Sequence, residues 1–139
     1  MDKNIISLED FITASGKYKE RLKSEELTQD VKNNGEKLLN RVCQLLKELG
    51  INKAVVSSGF RPSSINGKIK GAAKKSLHML GKAIDLADVD GKLYKAISSK
   101  PELLKKYGLW LEHKDDTPTW VHLDMSSLRT DREVRIFRA

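Results

Sequence analysis

The chain has 139 residues, and 26 Lys+Arg against 19 Asp+Glu give it a net charge of +7. That length suits one domain spanning residues 1–139, and a hydrophobic content of 39% suits a folded chain and not a disordered one. A single Cys excludes an intramolecular disulfide and a Cys-based zinc site, no apolar run nears the ~20 residues of a membrane helix, and Met1-Asp2-Lys3-Asn4 does not open a secretory signal.

Ser7-Leu8-Glu9-Asp10 reads as the capped start of a short helix running to about Thr13. Residues Ser15 to Ser24 are polar, carry Gly16 and read as a loop. A long helix is expected from about Thr28 to Leu49. Val31, Leu38, Leu39, Val42, Leu45, Leu46 and Leu49 make one apolar stripe on it, and Gly50 stops it. Cys43 lies beside that stripe and reads as a small buried hydrophobe. Ala54 to Ser58 is a short strand, and Gly59 to Lys75 is a long loop rich in Gly, Ser and Lys. Loops of that length inside a compact domain are usually functional or mobile. A strand follows at Ala83 to Ala87. Pro101 in a first turn marks a short helix beginning near Ser99. Three strands close the chain: Leu109 to Glu112, Trp120 to Met125 and Val134 to Phe137. Helices first and strands later predict an α+β fold, a small antiparallel sheet packed against N-terminal helices.

Two segments carry chemistry. In Ser76-Leu77-His78-Met79-Leu80-Gly81-Lys82-Ala83-Ile84-Asp85, Gly81 lets the chain turn between a loop histidine and a strand carboxylate. Ile84 and Leu86 alternate to the face opposite Asp85. In Trp120-Val121-His122-Leu123-Asp124, alternation puts Trp120, His122 and Asp124 on one face, with Val121 and Leu123 on the other. His78, Asp85 and His122 together would supply two imidazoles and one carboxylate. Three protein ligands with a fourth position left for water make a catalytic zinc set.

These segments resemble the zinc D-Ala-D-Ala carboxypeptidase family, which includes phage endolysins cutting L-alanyl-D-glutamate bonds and shares its fold with hedgehog-type and lysostaphin-type domains. The resemblance rests on the Ser76-x-His78-x-x-Gly81-x-Ala83-x-Asp85 run, on Ser58-Gly59-Phe60-Arg61-Pro62 before it and on Trp120-x-His122-x-Asp124 after it. Leu8-Glu9-Asp10-Phe11, the long helix and Asn66 add to it, so that it spans about Leu8 to Asp124. It implies Zn2+ held by His78, Asp85 and His122, with Arg61 gripping a substrate carboxylate or polarising the scissile carbonyl. It implies Ser76 beside the substrate, to which Trp120 adds a floor for the groove. The implied substrate is a peptidoglycan stem peptide.

The family's usual base positions hold Thr119 and Trp120 here, so the base is sought upstream. Strand alternation favours Glu112, with His113 and Asp116 as alternatives. Asp124 is expected to orient His122 or the attacking water. The missing acid also leaves room for a catalytically degenerate wall-binding or virion module of the same fold. A nucleic-acid partner is not expected: Lys68, Lys70, Lys74 and Lys75 make a basic loop, but no aromatic-interleaved patch accompanies it. The expected protein is monomeric and not inserted in a membrane. It would be cytoplasmic in its producing cell until release onto the wall, or virion-borne. A charge of +7 suits approach to an anionic wall.

Overall fold

The computed structural model describes residues 5–63 and 76–138. The Ser64 to Lys75 part of the long loop lies outside the described residues, with Asn66 and the four loop lysines. Helix α1 covers Leu8–Thr13, and the Ser7 hydroxyl accepts from the Asp10 amide at its start. Helix α2 covers Gln29–Glu48, capped by Thr28 through the Val31 amide and stopped by Gly50 at φ +76°. The apolar stripe predicted for α2 is its buried face: Leu38, Leu39, Val42, Leu45 and Leu46 are each 0% exposed. Cys43 is buried beside them, its Sγ 3.9 Å from the Ile6 carbonyl.

Five strands form one sheet: β1 (Val56–Ser58), β2 (Ala83–Ala87), β3 (Trp110–Glu112), β4 (Trp120–Asp124) and β5 (Ile136–Phe137), in the order β1-β2-β4-β3-β5. All neighbours are antiparallel except β3 and β5, so the sheet is mixed and not purely antiparallel as the sequence suggested. The parallel pair arises because the chain from β4 returns past β3 through residues 125–135 before β5 begins. Two short helices, α3 (Lys92–Ser98) and α4 (Glu102–Lys106), link β2 to β3. The sequence reading missed α3, whose apolar residues are too few to set a period. Its start is fixed instead by Asp88, whose carboxylate accepts from the Leu93 and Tyr94 amides. The polar stretch read as loop also holds a 3-10 turn, Lys19–Lys23.

Register sorts the side chains between two faces. Ile84 and Leu86 of β2, Leu111 of β3, and Val121 and Leu123 of β4 join the core with the α2 stripe. The other face carries Asp85 opposite His122, Ala83 opposite Asp124 and Ala87 opposite Trp120. β1 is irregular between Val56 and Ser58, and this sets Ser58 opposite Asp85 and brings Gly59 to Arg61 alongside.

Gly59 is there because nothing larger fits: a Cβ would lie 1.9 Å from the Phe11 carbonyl oxygen of α1. Gly81 closes the turn before β2 at φ +74°, and a Cβ there would lie 2.5 Å from the Val31 carbonyl oxygen. Both glycines let backbone press on backbone, and both flank the residues that build the site.

Leu86→Ala should lower unfolding free energy by about 2–5 kcal/mol in urea titrations, the usual cost of a cavity at a sealed core position. Val89→Ala, at an 84% exposed position two residues past β2, should stay within about 0.5 kcal/mol. Equal effects at the two positions would contradict the assigned sheet face.

Candidate metal centre and substrate groove

His78 sits in a 3-10 turn, Leu77–Leu80, whose first amide pairs are organised by the Ser76 hydroxyl accepting from the His78 N–H at 3.2 Å. The His78 ring is buried, and its Nδ1 lies 2.8 Å from the Gly59 carbonyl oxygen. A carbonyl only accepts, so Nδ1 carries the proton and Nε2 is left with a lone pair. That Nε2 lies 3.4 Å from Asp85 Oδ2. Across the β2–β4 ladder, His122 Nδ1 lies 2.9 Å from Asp85 Oδ1. The far nitrogen of His122, Nε2, lies 2.8 Å from Asp124 Oδ2. Both rings are therefore held from behind, one by a backbone carbonyl and one by a carboxylate, with their inner nitrogens turned on Asp85.

The electrostatics follow from that crowding. Burial alone would raise the Asp85 carboxyl, but the facing His78 and His122 rings outweigh it and hold it far below the usual range. Burial alone would lower His122, yet its bonds to Asp124 and Asp85 raise it to about 9. Burial also works against the Asp124 charge, and His122 and Arg129 overcome it. Arg129 reaches back from the C-terminal segment with Nη1 2.6 Å from Asp124 Oδ1, while its guanidinium lies 3.5 Å over the Phe137 ring. Asp85 is thus held ionised between two imidazoles, and Asp124 between His122 and Arg129.

A cavity of about 420 Å³ opens beside Asp85. Arg21, Arg61, Tyr18 and Trp120 line it, with Ser57, Ser58 and Thr119. Arg61 is placed by its own amide, which donates to the His78 carbonyl at 3.2 Å. Its Nε is buried with no hydrogen-bond partner among the described residues. Burial pulls the Arg61 guanidinium below its ordinary value, with the Asp85 charge opposing. Arg21 is 6% exposed, donates from Nη1 to the Phe60 carbonyl at 2.9 Å and stacks 4.0 Å over Tyr18.

A family model described as Peptidase M15 matches residues 10–124 of the chain. The chain belongs to the Peptidase M15 family. No curated protein and no solved structure matches it significantly. M15 peptidases are zinc-dependent, and the residues here suit that metal. One donor atom each from His78, Asp85 and His122 lie within 4.8 Å of one another. The two imidazole nitrogens approach the two oxygens of the one Asp85 carboxylate, His78 Nε2 at 3.4 Å from Oδ2 and His122 Nδ1 at 2.9 Å from Oδ1, and two N donors with one O donor are a set that zinc takes. Among the described residues no other group of three such side chains converges.

The remaining sequence-predicted residues are distributed as follows in this M15 peptidase. Arg61 and Trp120 line the groove. Ser76, expected beside substrate, is buried at 9% exposure, and its hydroxyl accepts from the His78 amide in the turn that carries that ring. Asp124, expected among the catalytic groups as the carboxylate that orients His122 or the water, is 0% exposed with its Oδ2 2.8 Å from His122 Nε2. Glu112 is half-buried on the site's face of β3. Trp110 faces Asp124 and Leu111 faces Leu123, so the same register carried one residue further sets Glu112 beside His122. Burial raises its carboxyl above the usual range, His122 lowers it and Asp85 raises it again. His113 lies on the other side, its Nδ1 accepting from the Asp115 amide and its ring 6.4 Å from Tyr94. Asp116 is gripped by Arg138 on both oxygens, at 3.0 and 3.3 Å.

Sequence reasoning missed Tyr18 and Arg21. They sit in a stretch without apolar periodicity, and only their i, i+3 spacing hinted that they act as a pair. It missed Arg129 and Phe137 as well, which lie beyond the residues matched by the family.

Asp124→Asn removes one charged acceptor from His122 Nε2 and from Arg129. Zinc affinity, read by competition with a chromophoric chelator, should fall about 10–100-fold. An unchanged affinity would show that Asp124 does not hold the ring.

Proposed function

We propose that this M15 peptidase hydrolyses a D-amino-acid-containing amide bond in peptidoglycan stem peptides. The observation that carries the reading is the convergence of His78, Asp85 and His122 at the edge of a groove lined by Arg61. His78, Asp85 and His122 would hold the zinc, which when bound would supply Lewis acidity and lower the pKa of a water molecule to near neutral. The chain's own groups do the rest. His78 is held with Nε2 inward by the Gly59 carbonyl, and His122 with Nδ1 inward by Asp124. Glu112 takes the proton from the attacking water and returns it to the leaving amine. Its raised pKa supports that role, because a base must also be a competent acid on the return step. Arg61, whose Nε has no hydrogen-bond partner among the described residues, meets the oxyanion or an adjacent carboxylate with its fixed fork.

Stem peptides carry free carboxylates, and two guanidiniums in one groove suit such a substrate. Arg21 completes the cationic end, held against Tyr18 and the Phe60 carbonyl. The resemblance to a family that includes phage endolysins supports a lysis enzyme acting on the wall after release. No helix among the described residues is long and apolar enough to cross a membrane.

Purified zinc-loaded protein should release new amino termini from isolated peptidoglycan, and mass measurement of the fragments names the bond. Glu112→Gln should keep one zinc per chain and lose about 10²–10⁴ in rate. Bound zinc without turnover in the wild type would favour a degenerate wall module, and a fully active Glu112→Gln would remove Glu112 from the mechanism.

A further inference from the structure

A second pocket, of about 330 Å³, lies at the Lys82/Met125 end of the β2–β4 ladder. The substrate groove opens at the other end, by Ala87 and Trp120. Five residues of strand separate the two ends by about 13 Å. Four cations line the second pocket and no acid does: Lys37 and Arg41 from α2, Lys82 from the turn before β2, and Arg135 from the segment before β5. The Asn34 amide and the Ser126 and Ser127 hydroxyls complete its polar wall.

This gathering of charge has a cost. Lys37 and Arg41 are one helical turn apart, and like charges at that spacing destabilise a helix. The residues three and four away from Lys37 on α2 are Asn33, Asn34, Asn40 and Arg41, so no acid on its own helix offsets it. Lys37 and Lys82 have no ion pair among the described residues. Arg41 spends Nη1 on the Gly108 carbonyl at 3.1 Å, and Arg135 is held by Asp131 at 2.9 Å. Three separate elements converge their cations on one concavity, and the two lysines there remain uncompensated.

We propose that this pocket binds phosphodiester groups of an anionic wall polymer, holding the enzyme on the wall while the groove works on stem peptides. The proposal rests on the peptidoglycan reading for its partner. No aromatic side chain lines the pocket, so a single-stranded nucleic acid finds no surface for its bases to stack on, and duplex DNA is left to the test below. A flexible phosphodiester chain needs only fixed cations and hydroxyl or amide donors.

The test uses the full chain and measures binding without turnover. Poly(glycerol phosphate), inorganic phosphate and duplex DNA are titrated against wild type, against Lys37→Glu/Lys82→Glu, and against the milder Lys37→Gln/Lys82→Gln. Wild type should bind the polymer with an affinity that falls as salt rises. The Gln pair should weaken it at least tenfold and the Glu pair further, with circular dichroism and hydrolysis of a soluble stem peptide unchanged. Sedimentation with walls should drop when their phosphodiester polymer is stripped. Equal polymer affinity in wild type and both variants would overturn the proposal. So would binding of inorganic phosphate alone, or DNA binding as tight as polymer binding and lost in the same variants. An enzyme inactive on stem peptides that still binds the polymer through these lysines would overturn the peptidase reading and leave the pocket assignment standing.

Discussion

Asp85 and His122 face one another across two antiparallel strands, and the position of every other site group follows from that rung. The 2.9 Å contact sets the inner nitrogen of His122 on the carboxylate. The same carboxylate meets His78 Nε2 at 3.4 Å. A cluster this buried and this charged holds together only where each polar group is satisfied from behind. The Gly59 carbonyl does this for His78, and Asp124 does it for His122. Arg129 then neutralises Asp124, so the support reaches from the sheet into the C-terminal segment.

The supports explain several sequence choices that have no chemistry of their own. Gly59 allows its backbone to press on the Phe11 carbonyl of α1, and its own carbonyl is thereby fixed for His78. Gly81 turns the chain against Val31 of α2, which sets where β2 begins and hence where Asp85 falls. The core face of the sheet, with Ile84, Leu86, Val121 and Leu123 sealed against α2, locks the register. A slip of one residue would turn Asp85 and His122 into the core, so apolar packing enforces the geometry of the polar face.

The convergence of His78, Asp85 and His122 was legible in the sequence because strand alternation puts Asp85 and His122 on the polar face of their strands and the family resemblance pointed to the same three residues. The long α2 stripe and the cap at Ser7 were legible for the same reason: local pattern determines them. The parallel β3–β5 pairing was not, since it depends on how a chain without periodicity returns through residues 125–135. Ser76 could be placed near the site, but a motif does not distinguish a side chain that touches substrate from one that holds a ligand. Only burial and hydrogen bonding separate those roles. Arg21 was hidden because its burial comes from stacking on Tyr18 and from the Phe60 carbonyl, contacts that no repeat announces.

The central claim is that the two imidazoles are held in opposite senses around Asp85, one presenting Nε2 and the other Nδ1. Nitrogen-15 NMR of histidine-labelled protein, before and after one equivalent of zinc, reads this directly. The account predicts that zinc shifts Nε2 of His78 and Nδ1 of His122, while Nδ1 of His78 and Nε2 of His122 keep their protons and His113 is unmoved. Metal-induced shifts at the opposite nitrogen of either ring, or at His113, would contradict it.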